Sequence, residues 1–205
     1  MKNLYTSQWR FFKNDYWKSF LGIFFVFILG GFSTYLLLLN NTAIIDELMG
    51  QVVSIFEEKN MLEPELTSGE IALKLFTNNF LASLFVFLTG FIPIFIPTLL
   101  IMGLNGAMIG VLFAYIKVNG GLIAPMFFAG ILPHGIFEIP ALVMAGALAF
   151  YISKGLIKKL SRTEFRMQFV VKNAFVSFLS ICVPLLIIAA IIEAFITPIL
   201  LEQFM

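Results

Sequence analysis

Between residues 19 and 39 the chain runs for 21 residues without a charged side chain. Three more stretches behave alike. Residues 75–116 carry no charge, 118–153 are interrupted only by His134 and Glu138, and 173–201 only by Glu193. About 20 apolar residues in a helix cross the roughly 30 Å of hydrocarbon in a bilayer. Lipid offers the backbone no hydrogen-bond partner, so such blocks must satisfy their own amides as helices. The 42 residues of 75–116 are enough for two crossings, and Pro93, Pro97, Gly103, Asn105 and Gly106 place the reversal near 97–105. The expected fold is an all-α polytopic transmembrane helical bundle of about five spans, forming a single membrane domain over 1–205. Composition agrees: 60% of residues are hydrophobic and 12% charged, against about 25% charged in soluble domains. A water-soluble fold would lack the polar residues to cover itself.

Lysine and arginine placement sets the expected orientation. Lys2, Arg10, Lys13 and Lys18 precede the first span, and Lys154, Lys158, Lys159, Arg162, Arg166 and Lys172 lie between the fourth and fifth. Segment 40–74 instead holds Asp46, Glu47, Glu57, Glu58, Glu63, Glu65 and Glu70 against Lys59 and Lys74. Five crossings put both basic blocks on the cytoplasmic side and the acidic segment outside, giving an N-in, C-out plasma-membrane protein. No A-x-A-like cleavage site follows the first apolar run, which reads as a retained span.

The connecting pieces are amphipathic. Tyr5, Trp9, Phe12, Tyr16 and Phe20 form one helical stripe in the basic, cytoplasmic segment 1–18. That fits either a helix at the inner membrane surface or an aromatic belt before the first span. In the external segment, Ile45, Leu48, Val52, Ile55 and Phe56 oppose the acidic residues, so this helix is expected to pack on its own protein or a partner. Thr67 and Glu70 form a capping sequence ahead of the second span. Ser161 and Glu164 do the same at the end of the basic linker 154–172. Cys182, the one cysteine, excludes an intrachain disulfide framework and reads as packing. The 25 phenylalanines read mainly as lipid-facing bulk.

Three ionisable side chains fall deep in the apolar blocks: His134, Glu138 and Glu193. A charge at the bilayer centre costs about 2.5–3.5 kcal/mol on insertion scales, so these residues should face the bundle interior. His134 and Glu138 are four residues apart, on one helical face. The block 118–153 would be about 54 Å long as one helix. A break near 130–135 is therefore expected, with Pro133 opening a span over 133–153 and a half-helix over 122–132. Glu193 then lies at a similar depth, in the outer half, and the three can converge, with Asn105 as a fourth group nearer the inner turn. An imidazole and two carboxylates suit zinc or another divalent metal. A charge-assisted pair joining two helices and an ion or proton relay remain open beside it. No catalytic motif is present, and the chain is expected to be neither an enzyme nor a nucleic-acid-binding protein.

The chain resembles the stage II sporulation protein M family. The resemblance rests on the basic, aromatic start ending in Phe12, Lys13 and Asn14, the segment GFIP at 90–93 and NGAMIG at 105–110. It continues through ILPHGIFEIP at 131–140 and AAIIEAFITP at 189–198. The His-Gly and Glu form of the fourth segment looks like the broader branch of the family. In spore formers the name-giving member recruits and anchors peptidoglycan-degrading enzymes at the septal membrane. The resemblance therefore implies a non-enzymatic membrane scaffold whose partners are cell-wall hydrolases. A transporter or ion-binding protein built around His134, Glu138 and Glu193 is the alternative. The spacing of Gly106 and Gly110 permits close helix approach, here expected inside one chain, with a homodimer as the default assembly.

Overall fold

The computed structural model describes residues 2–58, 66–161 and 166–204, all helical or in short connections. Glu63, Glu65, Lys59 and the second capping sequence through Arg162 and Glu164 lie outside the described residues. So do the side chains of Lys2, Ile55, Phe56, Glu57 and Glu58. Helix α1 (Lys2–Phe11) passes through a π-helical stretch into α2 (Trp17–Leu39), with Tyr16 leaving helical geometry at φ −137°, ψ 4°. Helix α3 (Ile45–Glu58) precedes the hairpin of α4 (Ser68–Leu88) and α5 (Ile96–Val118). A single-turn α6 (Ile123–Pro125), a π-helical stretch and α7 (Leu132–Ser161) follow without interruption. The chain ends with α8 (Met167–Ser177), another π stretch, α9 (Val183–Phe195) and α10 (Thr197–Phe204). Among the described residues, five helices are long and apolar enough to cross a membrane.

Helix α7 is central. Ala141, Val143, Ala145, Ala147, Leu148 and Ala149 are wholly buried, and α2, α4, α8 and α9 pack around it. The stretch 141–149 is apolar on every side and so belongs in the interior, and its alanines let neighbours approach closely. Gly90, after α4, lies so near Ala149 that a Cβ there would come within 2.6 Å of its Cα. The most extensive helix pairing joins α2 to α5. A Cβ on Gly106 would overlap the Phe27 carbonyl, and one on Gly110 would overlap that of Gly31. The small-residue spacing of α5 thus serves contact within the chain.

Two expected breaks lie elsewhere. The α4–α5 reversal occupies residues 89–95, ahead of the 97–105 region. Pro97 sits in the first turn of α5, where its missing N–H costs nothing, and Gly103 and Gly106 provide proximity to α2 within the helix. The break expected at 130–135 is absent. Residues Ile123–Ser161 are continuous, with Met126–Ile131 wound as π-helix. Pro133 and Pro140 are absorbed without a half-helix forming; Pro133 stands next to the widened turn, where the regular bonding pattern is already interrupted. The capping box does form: Thr67 N donates to Glu70 Oε2 at 2.9 Å and Glu70 N to Thr67 Oγ1 at 3.3 Å.

Contacts between the helix ends divide the bundle into two ends. Ser153 donates to the carbonyl of Ile92, and Lys154 Nζ lies 3.0 Å from Ser19 Oγ. The basic end of α7, the α4–α5 turn and the start of α2 therefore share one end. Helix α3 lies at the other end, with Ile45 buried beside Leu38, Val111 and Ala114. Phenylalanine serves both surfaces: Phe25, Phe32 and Phe85 point outward, whereas Phe27, Phe87 and Phe178 are core.

Candidate functional site

His134 and Glu138 occupy successive turns at the start of α7 and share a face. Glu193 stands in the last turn of α9. Ligand-type atoms of all three lie within 4.8 Å of one another, each side chain half-buried. Two helices far apart in sequence thus meet at one imidazole and two carboxylates, as their depths in the apolar blocks suggest.

The local chain path makes the meeting possible. After α9 the backbone kinks at Ile196, φ −104°, ψ −45°, and α10 folds back onto the π stretch preceding α7. Gly130 lies at this contact, where a Cβ would come 3.4 Å from Leu201 of α10. The kink also delivers Thr197, which is buried. Its Oγ1 lies 3.5 Å from His134 Nδ1, a long contact. Among the described residues, no hydrogen bond or ion pair directly joins His134, Glu138 and Glu193.

Beside the cluster is a cavity of about 420 Å³. His134 and Glu138 form its polar wall, and Met108 and Leu112 of α5 with Met49 and Val52 of α3 line the rest. Asn105 stays apart. Its Nδ2 donates to Ile101 O, one turn back on its own helix, at 2.9 Å. Cys182 is fully buried in the core.

Sequence reasoning missed Thr197 and a second polar cluster. Tyr16 OH lies 3.0 Å from Ser177 Oγ, which also donates to Gln8 Oε1. All three residues are buried, and they fasten α1 to α8. The aromatic stripe contained Tyr16, but a stripe cannot reveal a serine 161 positions away. Thr197 carried one local signal: it precedes Pro198, as a residue opening a helix often does.

Three donors drawn from two helices can hold a cation. Tetrahedral coordination at 2.0–2.1 Å sets ligands about 3.3 Å apart, so side-chain rotation over roughly 1.5 Å would close the cluster around zinc. The imidazole favours a transition metal over magnesium or calcium, and the carboxylates are acceptable to both.

The family model described as Stage II sporulation protein M matches residues 19–198. An uncharacterized protein of Methanocaldococcus jannaschii is 34% identical over 123 residues, covering 60% of this chain and 68% of that protein. No solved structure matches the chain.

Proposed function

The chain belongs to the stage II sporulation protein M family, and from that premise we propose that it is a multi-pass membrane protein binding one divalent metal ion, zinc by preference, through His134, Glu138 and Glu193. The observation that carries the reading is the approach of three ligand atoms from α7 and α9 to within 4.8 Å. Two carboxylates that close repel unless a cation or proton lies between them. An Nδ1–H directed at Thr197 would leave the His134 Nε2 lone pair for the metal, in the manner of outer-shell partners that fix imidazole ligands. The cavity provides room for water at an open coordination position. Bound metal would tie α9 to the central helix and hold the α10 return in place. The role is binding, with no catalysis assigned to it.

Elemental analysis tests this directly. Protein purified without chelators should carry about one metal per chain, lost in a His134→Ala, Glu138→Ala double variant of equal yield and dispersity. Wild type without metal after zinc loading, or a double variant that keeps it, rejects the site.

Helix α3 favours a second reading, that of a membrane scaffold in the plasma membrane. Its apolar side rests on α5 through Ile45, Leu48 and Met49, while Asp46 and Glu47 are exposed. With the basic end cytoplasmic, this acidic face would be external, where cell-wall hydrolases would dock. Reversing both charges to lysine should release a co-purifying hydrolase without removing the metal. Retention of that hydrolase would sink the docking role of α3.

A further inference from the structure

We propose that the basic end of the bundle holds a second site, which binds the phosphate headgroup of an anionic phospholipid. A cavity of about 980 Å³ opens there. Among the described residues, Lys154, Lys158 and Lys159 of α7 and Arg166 at the start of α8 line it, against one carboxylate, Asp15. Lysines near the inner ends of spans follow from topology alone. Topology does not require them to converge on one concavity. Lys154 and Lys158 are stacked at i, i+4 on one face of α7, with Asp15 beside Lys158.

The cavity's position fits a lipid better than a soluble anion. It lies where the apolar part of α7 ends and the polar tail begins, the depth of the phosphates in a bilayer. Its floor is part apolar, formed by Tyr151, Met167 and Val170, which suits the glycerol and upper acyl carbons of a lipid. Lys154 is already positioned, its Nζ 3.0 Å from Ser19 Oγ on α2. Four cations can meet the phosphate oxygens by charge-assisted hydrogen bonds, and basic pockets between membrane helices are a recognised way to hold such headgroups. The site is at the opposite end from His134 and independent of any metal there.

The test is native mass spectrometry of the full chain released from nanodiscs of phosphatidylglycerol or phosphatidylcholine. Wild type should retain one phosphatidylglycerol and no phosphatidylcholine. Lys158→Gln with Arg166→Gln should lower the retained fraction at least tenfold. Lys74→Gln with Lys117→Gln, the same charge change at the other end, should not. Lys158→Arg should keep the lipid, which separates lost charge from lost folding. Equal loss in both double variants, or equal retention of the two lipids, overturns the proposal. Displacement of the lipid by millimolar inorganic phosphate, with phosphate alone binding detergent-purified protein, overturns the lipid assignment in favour of a soluble ligand.

Discussion

Glu138 of α7 and Glu193 of α9 bring carboxylate oxygens within 4.8 Å of each other across a helix interface, with His134 completing the triangle. When both carboxylates are charged they repel in an apolar interior, and a bound cation removes that cost. Zinc should therefore raise the thermal unfolding temperature of the wild type. A ligand at 100 times its Kd adds about 2.7 kcal/mol, a shift of several degrees. Glu138→Gln and Glu193→Gln should each abolish the zinc response while matching or exceeding the wild type without metal. An unchanged zinc-induced shift in both variants would show that zinc acts elsewhere.

Thr197 Oγ1 lies 3.5 Å from His134 Nδ1. Loss of outer-shell partners typically weakens metal binding 10–100-fold. Thr197→Val keeps shape and removes the hydroxyl, so it should lower zinc affinity by that factor with little change in metal-free stability. Competition titration against a zinc chelator reads the affinity, and wild-type affinity in the variant would remove Thr197 from the site.

The parts of this fold legible in the sequence are those governed by one segment at a time. Apolar runs locate the five membrane-length helices, and Thr67 with Glu70 locates a cap. The convergence of His134, Glu138 and Glu193 was legible because charge in lipid has few places to go. What the chain does with proline and glycine was not. Pro133 suggests a helix break, yet the backbone widens into a π turn instead, against which α10 packs. Gly103 and Gly106 look like a loop until α2 is in place. The Gln8, Tyr16 and Ser177 contacts depend on tertiary neighbours that no local pattern specifies.

Gly106 illustrates that dependence as a stability effect. A side chain there must push into the Phe27 carbonyl, and backbone cannot yield as a flexible side chain can. Overpacking typically costs about 1–3 kcal/mol, so Gly106→Leu should lower the unfolding temperature by several degrees or prevent recovery of dispersed protein. Gly22→Leu is the control, because a Cβ at Gly22 meets nothing within 4 Å. Equal tolerance of both changes would mean that α2 and α5 are not locked together at this crossing.

The direction of insertion follows from the two ends of the bundle. Lys154, Lys158 and Lys159 share an end with the α4–α5 turn and the start of α2, while the acidic first turn of α3 lies at the other. Positive charge remains on the cytoplasmic side during insertion, so Asp46 should lie outside and Lys159 inside. Single substitutions Asp46→Cys and Lys159→Cys report this in the otherwise native chain, because Cys182 is fully buried and should not react before unfolding. A membrane-impermeant maleimide added to intact cells should label Asp46→Cys. Lys159→Cys should stay unlabelled until the membrane is opened. The reverse pattern would turn the metal cluster toward the cytoplasm and remove the external docking face assigned to α3. Labelling of both positions in intact cells would show that the basic end is not held inside.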